Sequence, residues 1–229
     1  MVPVHVAFTP ADEAAAEVGI VVDVVRATSS IAQALAAGYE RVLCCLEIEE
    51  ATALRAELGD QAVVGGERNG IVVSGFDVGA SPREFAGGPR APTLILSTTN
   101  GTAAILAAAS RCRHVLLGSL LNLGAVTARA GELGGDVAVV CAGFKGGFAF
   151  DDAYCAGRIV AGLEGARTDA AHAAELLAVS FESPLDGLNT RTYGPPGLEA
   201  DVAFCAQENL LCTVPRFSGM VGTAAEIVA

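Results

Sequence analysis

Ile20-Val21-Val22-Asp23-Val24-Val25-Arg26-Ala27-Thr28-Ser29-Ser30 reads as a buried strand that runs into a polar turn and opens a helix. The apolar part, Ile20–Val25, is short, β-branched and followed at once by turn residues, which is the pattern of a strand covered on both faces. An Ala-rich helix is expected over Ser29–Ala37, ended by Gly38, with the next strand at Arg41–Leu46. The same order recurs later. Strand Thr93–Ser97 enters the turn Ser97-Thr98-Thr99-Asn100-Gly101-Thr102, then helix Thr102–Ser110 and strand His114–Leu117. Thr28 to Arg41 and Asn100 to Arg113 are both thirteen residues apart, so a reused βαβ-like element is expected. A third strand, Asp136–Cys141, passes through the Gly-rich stretch Ala142–Phe150 into Asp151-Asp152, where helix Asp152–Leu163 begins.

The remaining segments extend this alternation. Val4–Phe8 and Ala62–Val64 read as strands, and Ile48–Leu58, Leu121–Glu132, Ala170–Val179 and Leu198–Gln207 as helices. Leu211–Val214 reads as a last strand before Pro215, while Ile71–Pro92 and Glu182–Gly197 are rich in turn residues. Strands alternating with helices give the α/β class with a parallel or mixed sheet. No Pro/Ser linker or run of charge breaks residues 1–229, so one α/β domain, or two closely packed subdomains, is expected.

Composition narrows the function. Of 229 residues 52% are hydrophobic and 17% charged, which favours a buried globular core over disorder. Only 5% are aromatic, with no Trp, so Ala, Val and Leu must build that core. So low a charged fraction also suits subunit burial, and a homo-oligomer, a dimer in the first instance, is expected. A net charge of −12 without any Lys/Arg cluster excludes non-specific nucleic-acid binding. The seven cysteines form no CxxC pair, and most of them read as small buried hydrophobes of a reducing compartment. No run reaches the ~20 apolar residues of a membrane span, and Met1–Ala16 lacks a basic leader, so a cytoplasmic location is expected.

Against this acidic background Arg26, Arg68 and Lys145 carry more information than usual. In α/β sheets ligands gather beyond the carboxyl ends of strands, where free N–H groups and helix dipoles attract anions. The run Ser97–Thr102 offers four hydroxyls, an amide and Gly101 for close backbone approach. One such residue suffices for helix capping, so the run reads either as an anion site or as an over-furnished cap. Asp23 beside apolar residues is costly unless it pairs with Arg26 or Arg68 or binds a metal. Glu67-Arg68, after Gly65-Gly66, is either a surface turn or a metal carboxylate beside a phosphate-binding guanidinium. Asp151-Asp152 either complements a helix dipole or ligates Mg2+, the ion favoured by hard oxygen donors without a His/Cys cluster. Val25 stands where the second Asp of a DxDx[TV] phosphatase would be, two residues after Asp23, and Gly147 where Arg would complete a Cys-based phosphatase loop starting at Cys141. Walker A, GxSxG and GxGxxG motifs are missing from the sequence.

Together Asp23–Thr28, Gly66–Arg68, Gly79-Ala80-Ser81-Pro82, Ser97–Thr102, Cys141–Gly143, Asp151-Asp152 with Ala156-Gly157, and Gly197–Cys205 with Val214-Pro215 resemble the 2-phosphosulfolactate phosphatase family over nearly the whole chain. Two positions depart from that pattern, Ala80 where the family usually has Asn and Asp151 where it usually has Glu. The resemblance implies a three-layer α/β/α fold and a Mg2+-dependent phosphatase. It further implies hydrolysis of (2R)-phospho-3-sulfolactate to sulfolactate and phosphate, on the route to coenzyme M. On this reading Asp23, Glu67, Asp151 and Asp152 serve the metal, and Arg26 and Arg68 the phosphoryl group. Thr28, Ser81, Thr98, Thr99, Asn100, Gly101 and Thr102 would hold substrate oxygens, and Lys145, Gly146 and Gly147 the sulfonate or carboxylate. The competing expectations are a non-catalytic binder of a small phosphorylated or sulfonated metabolite, and a phosphotransferase.

Overall fold

The computed structural model describes residues 2–229. In chain order the first half comprises β1 (Pro3–Ala7), β2 (Ala16–Val22), α1 (Ala27–Ala36), β3 (Arg41–Cys45), α2 (Ile48–Leu58), β4 (Ala62–Arg68), β5 (Ile71–Val72), α3 (Pro82–Phe85) and β6 (Thr93–Ser97). Then come α4 (Gly101–Ala109), β7 (Cys112–Gly118), α5 (Leu123–Leu133), β8 (Val137–Cys141), α6 (Phe150–Ala161), β9 (Ala166–Arg167) and α7 (Asp169–Ala178). Two short helices, α8 (Pro184–Asn189) and α9 (Glu199–Cys205), precede the C-terminal hairpin β10 (Arg216–Val221) and β11 (Ala224–Val228). Among the described residues no helix is long and apolar enough to cross a membrane.

All the strands join one mixed, mostly parallel sheet in the order β5-β4-β6-β3-β11-β10-β7-β2-β8-β1-β9. β4, β6 and β3 form one parallel block, and β7, β2, β8, β1 and β9 another. The C-terminal hairpin sits between them, antiparallel to β3 on one side and to β7 on the other. Continuous apolar runs such as Val137–Cys141 and Thr93–Ser97 are buried along their full length, as strands covered on both faces must be. Helices cover both faces and give three layers. α1 and α4 pack Ile31, Leu35, Ile105 and Ala108 on one face, against Val21, Val42, Leu94, Leu117 and Ile227. On the other face α2 covers Leu43, Val64 and Ile95, while α6 and α7 cover Val6, Ile20 and Val139 with Ile159 and Ala174.

The repeated element exists, though not as a pair of βαβ units. β2 and β7 pair in one block and β3 and β6 in the other, so α1 and α4 each carry the chain from one block across to its neighbour. The two strand–turn–helix units are interleaved. Through the hairpin the blocks run in formally opposite senses. Adjacent strands twist by about 20–25°, so the five steps from β6 to β2 accumulate roughly 100–125° and offset most of that reversal. The N-termini of α1 and α4 consequently meet. A Cβ on Gly101 would stand 2.5 Å from the Cβ of Ala27, so only glycine permits this approach.

Several boundaries depart from the sequence reading. β2 stops at Val22, so Asp23-Val24-Val25 belongs to the turn although its apolar pattern continues the strand. β4 runs on through Gly65-Gly66 to Arg68 and pairs with Ile71–Val72, so Glu67-Arg68 ends a strand inside a small hairpin. Leu211–Val214 is no strand. Its backbone instead ties the chain to the turn after β7, with Leu211 N–H donating to the Leu121 carbonyl. The last strands are β10 and β11, which carry small residues and glycines in place of a β-branched run.

Candidate active site

Three aspartates are buried at the carboxyl ends of β2 and β8. Asp23 follows β2, and its Oδ1 accepts the Ala27 N–H at 3.2 Å while the Thr28 hydroxyl donates to its carbonyl at 2.9 Å. Asp152, in the first turn of α6, accepts the Val24 N–H at 2.9 Å on one oxygen and the Gly143 N–H at 3.0 Å on the other. These bonds tie the β2 turn to the β8 loop through one carboxylate. Asp151 Oδ1 accepts its neighbour's N–H at 3.0 Å and the hydroxyl of Tyr193, while its Oδ2 is buried without a hydrogen-bond partner among the described residues. Burial holds all three carboxyls above their ordinary range, and the charge of the neighbouring acids adds to it at Asp23 and Asp152. Asp23 is pushed up to about 7 by burial first, with Asp151 and Glu67 adding like charge. Burial and the same acids also raise the Tyr193 phenol, which therefore stays a neutral donor.

The opposite wall comes from the other block. Glu67, at the end of β4, accepts the Thr99 N–H at 2.8 Å and the Thr99 hydroxyl at 2.9 Å on one oxygen, and the Gly70 N–H on its second. It shapes the β6 turn by occupying that turn's donors. No side chain caps α4, because the Asn100 Oδ1 accepts the Lys145 N–H at 3.0 Å. The first N–H groups of α4 therefore lack the usual side-chain acceptor, in a position the helix dipole makes favourable for an anion. Arg26 is 10% exposed and donates to Asp201 at 2.8 Å. Asp201 is buried in α9 and also accepts the Ser81 hydroxyl at 2.6 Å.

One cleft collects Asp23, Arg26, Glu67, Thr98, Thr99, Asn100 and Asp152 from the sequence-predicted set. Gly101 lies against it, since a Cβ there would stand 2.8 Å from Asp23 Oδ2. Asp151 sits behind the cleft and reaches it through Tyr193. Other predicted residues are placed elsewhere. Arg68 directs its guanidinium to the carbonyls of Glu67 and Leu46 and to the Ser97 hydroxyl, knitting the ends of β3, β4 and β6 together. Thr28 and Thr102 are fully buried, Thr28 within the Asp23 turn and Thr102 against Thr98 at 3.4 Å. Ser81 serves Asp201 and the start of α3. Lys145, Gly146 and Gly147 are exposed at the tip of a tight turn closed by Phe144 and Gly147, with the Lys145 ammonium over the Phe144 ring.

Residues the sequence reading passed over complete the cleft. Gly143 and Phe144 enter from the β8 loop, Asn69 and Gly70 from the β4–β5 turn, and Arg191, Tyr193, Gly194, Pro195 and Leu198 from the stretch between α8 and α9. Arg191 was the findable one, a cation in an otherwise unexplained turn-rich segment.

Among the described residues, no three Asp, Glu, His or Cys side chains stand close enough to enclose a metal by themselves. The donor set nevertheless fits Mg2+, which keeps several waters and is held through one or two carboxylates plus substrate oxygens. Asp23 and the unpartnered oxygen of Asp151 are hard donors in a buried nest of like charge, which a divalent cation would relieve.

A buried acid nest and an open helix N-terminus at the carboxyl ends of an α/β sheet make a site suited to a cation beside a small anion. A family model described as 2-phosphosulpholactate phosphatase matches residues 5–219, and the chain belongs to that family. A probable 2-phosphosulfolactate phosphatase of Thermus thermophilus is 39% identical over 218 residues, which cover 91% of each chain. Proteins of the same name from Clostridium acetobutylicum and Carboxydothermus hydrogenoformans are 36% and 38% identical. The alignments cover 87% and 86% of this chain, and 88% and 84% of the relatives.

Proposed function

We propose that this chain is a Mg2+-dependent phosphatase that hydrolyses (2R)-phospho-3-sulfolactate, or a similar small phospho-acid, to the hydroxy acid and phosphate. One observation carries the reading: Asp23, Asp152, Arg26 and the uncapped start of α4 share a single cleft. Asp23 and Asp151 would hold the ion. When bound, it supplies charge neutralisation at the phosphoryl oxygens and a more acidic water. Asp152, with both oxygens engaged by backbone N–H groups, positions the β2 turn and the β8 loop. Arg26, steadied by Asp201, and the N–H groups opening α4 receive phosphoryl oxygens. Water attacks phosphorus, the ester P–O bond breaks, and the released alkoxide takes up a proton. Glu67 keeps Thr99 and Gly70 in place and needs no direct contact with the ion. Catalysis then rests on positioning and preorganised charge.

The test is phosphate release from 2-phospho-3-sulfolactate, 2-phosphoglycolate and 4-nitrophenyl phosphate, with Mg2+ and after chelation. Mg2+-dependent release, fastest on the phospho-acids, is expected. Binding of sulfolactate and phosphate without release from any ester would favour a metabolite binder instead.

A further inference from the structure

The cleft contains two guanidinium groups, and they differ in what already occupies them. Arg26 is locked on the buried Asp201. Arg191 lines the same cleft, yet among the described residues it forms no ion pair and no side-chain hydrogen bond within normal distances. Glu199, on the solvent side, and Asp151, behind the cleft, both feel its charge without approaching to ion-pair distance. The segment that carries Arg191 is nonetheless fastened in place. Tyr193 stacks on Phe144 with ring centroids 4.3 Å apart and 17° between planes, and its hydroxyl donates to Asp151. Pro195 rests on Gly70, where a Cβ would stand 2.4 Å from the proline ring. Arg191 is thus a fixed, unpartnered cation over a cleft whose other charged groups are acids or an arginine already paired.

We propose that Arg191 is the specificity-determining residue for the non-reacting anionic group of the substrate, a carboxylate or sulfonate adjacent to the ester carbon. The planar guanidinium offers paired N–H donors that match two oxygens of either group. This placement separates two tasks: the α4 N-terminus, Arg26 and the acid nest take the phosphoryl group, and the α8–α9 segment takes the second anion. It replaces the expectation that Lys145, Gly146 and Gly147 perform that second task, since their loop tip lies outside the cleft.

The inference rests on the phosphatase reading, and the test keeps the two apart. The ratio of kcat/KM for 2-phosphoglycolate, or for 2-phospho-3-sulfolactate, over that for 4-nitrophenyl phosphate would be measured in the natural chain, in Arg191→Gln and in Arg191→Lys. A 10- to 100-fold fall in that ratio for Arg191→Gln, carried mainly by KM and partly recovered in Arg191→Lys, is expected. An equal loss on both substrates would overturn the proposal and place Arg191 on the phosphoryl group, and so would an unchanged ratio. If no ester is hydrolysed, the phosphatase reading fails while the subsite remains testable by calorimetry with 3-sulfolactate. At least tenfold weaker binding to Arg191→Gln then supports it, and equal binding refutes it.

Discussion

The turn after β2 and the turn after β6 occupy matching places in two interleaved units, and they use their polar residues in opposite ways. In the first, Asp23 and Thr28 satisfy their own helix start, leaving Asp23 Oδ2 directed at the partner turn. In the second, Thr99 is bound by Glu67 from a neighbouring strand and Asn100 by the β8 loop, so the helix start stays open. One turn presents a carboxylate, the other backbone N–H groups. The same local architecture therefore yields a cation-seeking wall and an anion-seeking wall, and residue choice at a few positions separates them.

That contrast can be broken most severely at Asp23. Asp23→Asn is expected to lower turnover by about 10²–10⁴-fold, the range lost with a single catalytic carboxylate. The same change should raise metal-free stability at pH 8, because it removes one of several crowded buried charges. A variant that loses activity and also melts lower at pH 8 would show that Asp23 acts as a structural ion-pair partner instead.

The next effect concerns the meeting of the two turns. Gly101→Ala forces a methyl against Ala27 and Asp23, so a destabilisation of about 1–3 kcal/mol is expected from overpacking, with activity falling in parallel. Denaturant titration beside an activity assay checks it, and an unperturbed variant would mean the turns do not touch. Glu67→Gln should act more mildly. It keeps one acceptor oxygen but weakens the bonds to Thr99 and Gly70, costing about 1–2 kcal/mol and loosening the β6 turn. Lys145→Ala, at an exposed tip, should change stability by less than about 0.5 kcal/mol and leave kcat/KM within threefold. A large activity loss there would restore the loop tip to the site.

Local pattern carried much of this to the reader of the sequence. Ile48–Leu58 and Thr93–Ser97 have the bounds their periodicity predicts, because apolar spacing and the Gly59 stop act within a few residues. The end of β2 was illegible, since Val24 and Val25 are as apolar as the strand before them, and the bonds that turn the chain, from Val24 N–H to Asp152 and from Thr28 N–H to the Asp23 carbonyl, form only in the fold. The C-terminal hairpin escaped for the opposite reason. Arg216–Val221 alternates around Gly219 and Met220 without a β-branched run, and its strand character comes from neighbours far away in sequence. The acids Asp23, Glu67 and Asp152 were visible as odd residues in apolar or Gly-rich surroundings. Asp201 and Tyr193 were not, because their meaning lies in partners 175 and 42 residues away, Arg26 and Asp151.

On the function proposed above, a divalent ion would relieve the charge of the buried acid nest. Asp23, with its carboxyl raised from 3.8 to about 7, binds its proton more tightly when folded. Its contribution to stability is present at low pH and lost as pH rises through 7, a change on the order of 4 kcal/mol in metal-free protein. Thermal melting between pH 5 and 8, with and without Mg2+, tests this most directly. Without the ion the melting temperature is expected to fall as pH rises. Mg2+ at a hundredfold excess over its dissociation constant should raise it by about 5–10 °C at pH 8 and far less at pH 5, an increment lost in Asp23→Asn. No Mg2+-dependent rise at pH 8, or a larger rise at pH 5, would contradict it.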